Sequence, residues 1–268
     1  MFKIAIPTYK RYETFPKKTL KILIDHKIPL GIIYIFVATQ EEYLKYTKTI
    51  PKEYHSRLFV TNAIGIMNVR NYIVDFFKQD EFVFCLDDDL KDIYVKTPCA
   101  PEQSGGARVK NGETLKRLEY LMEFISLAFE LCLSRGSRLF SVYPVQNAYF
   151  MRDEIHLGLT YCMGGCMGFI NDKSLKVSVN DKEDYERSIQ YFKKYGCVIR
   201  FNNVCCGTKG YTGSGGIQSF DRSYEVILEA CNSLLVKYPE EVQGLNLNKK
   251  SGKPEIYLKR ITRDILCL

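Results

Sequence analysis

No stretch of the 268 residues is long and apolar enough to span a bilayer, and the opening Met1-Phe-Lys-Ile-Ala-Ile-Pro-Thr8 breaks at Pro7 without the basic-then-apolar layout of a secretory leader. Histidine is scarce, at three residues. Among the ten cysteines, Cys162 with Cys166 and the adjacent Cys205 and Cys206 meet no second pair at finger-like spacing, which disfavours structural zinc. Cys85, Cys132, Cys197 and Cys231 sit in apolar runs, where a reduced thiol acts as a small hydrophobe. A reducing intracellular compartment is therefore expected: cytoplasm or nucleus, or the host cytoplasm for a viral protein. The glycine loop Thr208–Gly216 contains no Gly-Lys-Ser or Gly-Lys-Thr, so it is not a Walker motif. No repeat or linker divides the chain, which reads as one domain, 1–268, at the upper edge of domain size.

What is present is ordinary globular usage, 46% apolar and 26% charged. The net charge of +7 suits a polyanionic partner such as nucleic acid, or merely a basic protein, and Lys249, Lys250, Lys253, Lys259, Arg260 and Arg263 gather near the C-terminus. Strand-like runs at 2–6, 32–38, 58–61, 82–86, 139–143 and 197–201 alternate with helical patterns at 14–25, 41–47, 65–77, 114–133 and 180–195. That alternation predicts an α/β fold with a mixed, mostly parallel sheet flanked by helices. A helix over 222–237 and a basic strand over 255–259 close the chain.

The chain is organised around Phe82-Val-Phe-Cys-Leu-Asp-Asp-Asp-Leu90, a short buried strand running straight into three carboxylates. On an extended chain Asp87 and Asp89 point one way and Asp88 the other. Two such carboxylates are hard ligands for Mg²⁺ or Mn²⁺, with phosphates and water completing the shell, which implies a diphosphate substrate. The plainer alternative is a solvated Asp-rich turn. Location at a strand's carboxyl end, where open α/β sheets bind ligands, favours the metal.

Around it stand weaker signals. Pro7-Thr-Tyr-Lys-Arg11 follows the first strand as an anion-binding corner. Arg70, in the first turns of the helix after Gly65, suits a phosphate or a surface salt bridge. Residues 97–112 form a long polar loop, either a flap or a plain insertion. In Met163-Gly-Gly-Cys-Met-Gly-Phe169 the glycines mark the close approach of a ligand or backbone, or else a β-bulge or tight bend. Asn180-Asp-Lys-Glu-Asp-Tyr-Glu-Arg187 heads a helix; capping explains Asp181 but accounts less well for Glu183, Asp184 and Glu186.

In this order the motifs resemble the GT-A nucleotide-sugar glycosyltransferases over about residues 2–200. The C-terminal Gly215-Gly-Ile217, the next helix and Lys249-Lys-Ser-Gly-Lys-Pro-Glu-Ile-Tyr-Leu-Lys-Arg260 are similar to the TET/JBP-associated members, linked to sugar attachment on hydroxymethylated pyrimidines in DNA. The resemblance implies a nucleotide-binding half at about 1–95, an acceptor half at 96–220 and a C-terminal helix with a basic segment at 221–268. It implies a metal-dependent hexosyltransferase that moves a sugar, glucose first, from a UDP-sugar to a 5-hydroxymethylpyrimidine of DNA. Thr8, Tyr9 and Arg11 meet the nucleoside and its phosphates, and Arg70 meets the diphosphate. Asp87, Asp88 and Asp89 hold the donor, with Asp87 and Asp89 on Mn²⁺ or Mg²⁺. Gly164 and Gly165 border the sugar. Asp184, with Glu183, is the general base of an inverting reaction. The family's late histidine ligand has no counterpart, because His26, His55 and His156 all come too early. The alternatives are a GT-A enzyme with a glycan or protein acceptor and, from another class, a non-catalytic nucleic-acid-binding module.

Overall fold

The computed structural model describes residues 1–98, 113–207, 215–247 and 252–268. Four strands sharing one direction carry its N-terminal half: β1 (Lys3–Thr8), β2 (Ile33–Val37), β3 (Leu58–Val60) and β4 (Phe82–Leu86), in the spatial order β4-β1-β2-β3. The connections run through helices α1 (Thr19–Asp25), α2 (Gln40–Tyr46) and α3 (Ile66–Phe76). Because both sheet faces are covered, the strands are apolar almost throughout rather than alternating. Ile4, Ile6, Phe84 and Leu86 pack on one face with Leu20 and Leu23, while Ala5, Phe36, Val83 and Cys85 pack on the other with Ile73 and Val74. The period of two in a strand divides the two cores in this way.

The second half adds β5 (Asp92–Pro98), β6 (Glu113–Arg117), α4 (Leu121–Arg135), β7 (Leu139–Tyr143), β8 (Glu154–Leu159), β9 (Cys166–Ile170), α5 (Glu183–Tyr195) and β10 (Val198–Gly207). After these come α6 (Tyr224–Lys237), β11 (Val242–Asn246), β12 (Glu255–Leu258) and β13 (Ile261–Cys267). The main path of the sheet is β13-β8-β10-β7-β9-β4-β1-β2-β3. Along it β13, β10, β7, β4, β1, β2 and β3 run one way, and only β8 and β9 oppose them. The fold is thus mixed α/β with a mostly parallel sheet flanked by helices. β10 pairs with β7 and β8 at its start and, after an irregularity between Phe201 and Cys205, with β5 at its end.

Three local expectations change. Residues 113–117 are a strand antiparallel to β5, not the start of a helix, because the open edge of β5 supplies backbone partners that outweigh a helical pattern in Thr114-Leu-Lys-Arg117; the helix begins at Leu121. The basic strand is half of a separate hairpin, β11-β12, packed on α6 through Ile227, Leu234, Val242 and Ile256. The edge strand β13 follows it. The supposed flap lies outside the described residues from 99 to 112, as do 208–214 of the second glycine loop and Lys249 and Lys250. Among the described residues the cysteines are free thiols, buried except for Cys267, and no helix is long and apolar enough to cross a membrane.

Candidate active site

Thr8, Tyr9, Arg11, Arg70, Asp87, Asp88, Asp89, Gly164, Gly165, Glu183 and Asp184 all line one cavity of about 560 Å³. It opens where β1 and β4 end, with the start of α5 forming the facing wall.

On the β1–β4 side, Thr8 Oγ1 donates to Asp88 Oδ2 at 2.6 Å and lies 2.6 Å from the Tyr46 hydroxyl, which also accepts from the Arg11 N–H at 3.0 Å. Arg11 Nη1 is 2.6 Å from Asp88 Oδ1 and 2.8 Å from Asp89 Oδ2. Asp88 and Asp89 therefore converge on one guanidinium nitrogen, while Asp87 turns to Arg70, its Oδ1 3.0 Å from Nη2. The expected pairing of Asp87 with Asp89 on one side does not occur, because the chain leaves its extended conformation in a turn at Asp88 and Asp89. Burial pushes Asp88 up to about 6 against the pull of Arg11, and burial raises Asp89 as well. Asp87 keeps 40% of its side chain exposed.

Arg70 joins this wall to the next. Its Nη2 donates to Asp87 Oδ1 and to the Gly164 carbonyl, both at 3.0 Å, and its Nε lies 3.7 Å from Glu183 Oε1. Arg70 is buried, yet its Nε and Nη1 have no hydrogen-bond partner. The glycines make the junction possible. A Cβ on Gly165 would lie 2.7 Å from Asp87 Oδ2, and one on Gly164 would lie 3.2 Å from Arg70 Nη2 and 3.4 Å from Glu183 Oε1. Both glycines precede β9 in a tight turn rather than a strand bulge, and it is Asp87, Arg70, Glu183 and Asp184 that approach them closely.

At the start of α5, Asp184 Oδ2 accepts from the Tyr161 hydroxyl at 2.6 Å and from the Gly164 N–H at 3.3 Å; its Oδ1 accepts from the Tyr185 N–H at 3.0 Å. The rings of Tyr161 and Tyr185 stack at 4.2 Å. Burial, reinforced by the charge of Asp184, pushes Glu183 up to about 8, and burial also raises Asp184 against its hydrogen bonds. Capping does not explain these acids. The N-cap is Lys182, at φ 65°, and it carries no side-chain cap bond. Asp181, for which a cap seemed sufficient from sequence, instead accepts from Arg222 Nε at 2.7 Å. Glu186 is structural: it accepts from Ser178 N and Oγ, Lys237 Nζ and the Tyr238 hydroxyl, tying α6 to α5.

Several lining residues escaped the sequence reading: Tyr161, Tyr185, Asp181, Lys182, Phe220, Arg222 and Glu255. Tyr185 and Lys182 adjoin the acid pair and could have been found there. Arg222 and Glu255 carry no local signal, because only the return of the C-terminal segment brings them in. None of the three histidines lines the cavity, and no three His, Cys, Asp or Glu side chains gather as a full protein metal shell among the described residues.

The sequence model of the TET-associated glycosyltransferases matches residues 2–216. No curated protein sequence matches the chain. Among solved structures, S. aureus TarS 1–349 in complex with UDP-GlcNAc superposes with a TM-score of 0.54 at 13% identity, covering 87% of this chain and 66% of that one. This chain thus spans just under two thirds of that structure. Glucosyl-3-phosphoglycerate synthase from Mycobacterium tuberculosis, in complex with phosphoglyceric acid, gives 0.51 at 10% identity, covering 96% and 87%. At such identities the likeness is one of fold, and the fold is that of GT-A glycosyltransferases. With most of its length matched by one family, this chain belongs to the TET-associated glycosyltransferases.

Proposed function

We propose that the protein transfers a hexose, glucose first among the candidates, from a UDP-sugar to the hydroxyl of a 5-hydroxymethylpyrimidine in DNA, with inversion. The observation that carries this reading is the pairing, across one cavity, of a carboxylate cluster anchored by arginines with Asp184, a carboxylate oriented by neutral donors. The first suits a metal-bound diphosphate and the second suits proton removal. A UDP-sugar donor is favoured by the fold shared with TarS, whose structure holds UDP-GlcNAc. The DNA acceptor is favoured by the family to which the chain belongs and by a net charge of +7.

The residues fit a divalent cation. Asp87, Asp88 and Asp89 are offset by Arg11, Arg70 and the nearby Lys18, so a bound diphosphate would leave the wall with negative charge that a divalent cation would offset. Asp87, the most exposed of the three, would hold Mn²⁺ or Mg²⁺, joined by Asp89 if that carboxylate turns from Arg11, with phosphate and water oxygens as the other ligands. When bound, the ion stabilises the charge that grows on the leaving nucleoside diphosphate. Thr8, Tyr9 and Arg11 bind the nucleoside end, and the positive charge of Arg70 lies beside Asp87 for the diphosphate.

Gly164 and Gly165 leave room for the sugar beside Asp87. Asp184 takes the proton of the acceptor hydroxyl as that oxygen attacks the anomeric carbon. Burial and the neighbouring charge of Asp184 favour the protonated form of Glu183. A base in duplex DNA has to leave the stack to reach the cavity, at a cost of roughly a few kcal/mol. Incubation with Mn²⁺, a panel of UDP-sugars, and hydroxymethylated or ordinary DNA is the test. Transfer to hydroxymethylated DNA alone is expected. Donor hydrolysis without transfer to any DNA would redirect the acceptor to a glycan or protein.

A further inference from the structure

The chain returns to the cavity after residue 216, where the family match ends. The Gly216 N–H donates to the Tyr9 carbonyl at 2.7 Å, and Phe220 stacks on Tyr9 at 5.4 Å. Further along, Arg222 Nε donates to Asp181 Oδ2 at 2.7 Å, and Glu255 Oε1 accepts from Lys182 Nζ at 2.7 Å. All four charged residues line the cavity. Their side chains are little exposed, 12% for Arg222, 5% for Asp181, 6% for Lys182 and 12% for Glu255.

Ion pairs buried this far are weak stabilisers, because the desolvation of both partners offsets their attraction and an apolar replacement often serves the fold as well. Two of them side by side in the wall of a ligand cavity therefore point to a ligand. Its chemistry follows from the charges. Within each pair the two charges offset each other, so neither pair presents a net positive charge to a phosphate, and the acid cluster at Asp87, Asp88 and Asp89 lies with the other wall. What remains is a neutral group rich in hydroxyls. A hydroxyl both gives and accepts a hydrogen bond. Each pair offers a carboxylate acceptor beside a cationic donor at hydrogen-bond spacing, which suits two neighbouring hydroxyls on a sugar ring, and bonds to charged partners are the stronger kind. Asp181 and Lys182 also directly precede Glu183 and Asp184, so a sugar poised for attack at its anomeric carbon falls within their reach.

We propose that the Asp181–Arg222 and Lys182–Glu255 pairs form the subsite that reads the ring hydroxyls of the transferred sugar, so that residues beyond the family match set donor-sugar specificity. This rests on the donor half of the proposed function and is independent of the acceptor. Discrimination by this means is steep, since a site built to hydrogen-bond a hydroxyl leaves buried polar groups unpaired when the hydroxyl is missing or inverted.

The test uses Asp181→Asn and Glu255→Gln, which keep shape and change one pair each, so that misfolding of one variant leaves the other as the measurement. Calorimetry with Mn²⁺ compares UDP with UDP-glucose, UDP-galactose and UDP-N-acetylglucosamine, and donor hydrolysis gives kcat/KM for each sugar. Affinity for UDP itself should stay at the wild-type value, while the preference of kcat/KM for the best sugar over its epimer falls by about tenfold or more. An unchanged preference, or equal weakening of UDP and every UDP-sugar, overturns the subsite. If the wild type binds UDP and the variants keep its sugar preference, the subsite alone fails. If the wild type binds neither UDP nor any UDP-sugar, the donor assignment fails and the subsite with it.

Discussion

On the β1–β4 side of the cavity, Asp88 takes hydrogen bonds from Arg11 Nη1 and Thr8 Oγ1, both at 2.6 Å, and Asp89 shares the same arginine. On the α5 side, Asp184 takes its bonds from a phenol and two peptide N–H groups, and its neighbour is another acid, Glu183. Asp88, Asp89 and Asp184 are all raised by burial, but of these only Asp88 and Asp89 face a guanidinium, at 2.6 and 2.8 Å; on the α5 side it is Glu183, 3.7 Å from Arg70 Nε, that meets one. A cation fixes a carboxylate's charge and so suits a site that must stay anionic to hold a metal. Neutral donors fix only its direction, which leaves basicity available for taking a proton. One residue type is thus set to two tasks by its surroundings.

The largest expected effect comes from removing the base. Asp184→Asn keeps the shape and the bonds at the start of α5, but the amide has no useful basicity, so transfer should fall by about 10²–10⁴. Normal transfer in this variant would move the base to Glu183 or elsewhere. Next in size are Asp87→Asn and Asp89→Asn. Each removes charge from the proposed metal site and should weaken Mn²⁺-dependent donor binding by roughly an order of magnitude or more. Calorimetry showing wild-type affinity in both variants would remove the metal from this wall.

Smaller changes sharpen the contrast. Tyr161→Phe deletes a bond that favours ionised Asp184, so the acid limb of the pH–rate profile should move to higher pH. Transfer should drop roughly tenfold, in keeping with about 1.5–3 kcal/mol for a hydrogen bond to a charged group. An unmoved profile would make Tyr161 a packing residue only. The smallest effect concerns stability. The Glu183 carboxyl is raised in the folded state, from an ordinary 4.5 to about 8, so the folded chain binds the proton more tightly than the unfolded one. Its contribution is fully present below the unfolded value and is lost as pH rises through about 8. Glu183→Gln should flatten that decline in urea midpoints measured between these limits, with a residue of slope left by Asp184, which is raised in the same direction. An undiminished slope would assign the decline to other groups.

Much of the donor wall was legible because its signals are local. Apolar strands ending in Thr8 and in Asp87-Asp-Asp89 announce both the parallel half of the sheet and the place where ligands collect. Gly164, Gly165, Glu183 and Asp184 were legible as motifs, but the reasons for the glycines were not. Only the fold brings Asp87 and Arg70 against them. Asp87, Asp88 and Asp89 do not alternate as on an extended strand, because the chain turns at Asp88 and Asp89. The strand at 113–117 was hidden by a helical pattern that the edge of β5 overrides. Asp181 passed for a cap, since its partner Arg222 lies 41 positions away. Long-range ion pairs leave no trace in local pattern, and this is why the wall made by the C-terminal segment went unread.

The contrast between the walls is tested most directly by measuring two quantities in two variants, UDP-sugar affinity with Mn²⁺ by calorimetry and single-turnover transfer to hydroxymethylated DNA. Asp184→Asn should bind the donor as the wild type does and fail to transfer it, whereas Asp87→Asn should fail already at binding. Loss of donor affinity in Asp184→Asn to the same extent as in Asp87→Asn would contradict the division of labour between the two walls.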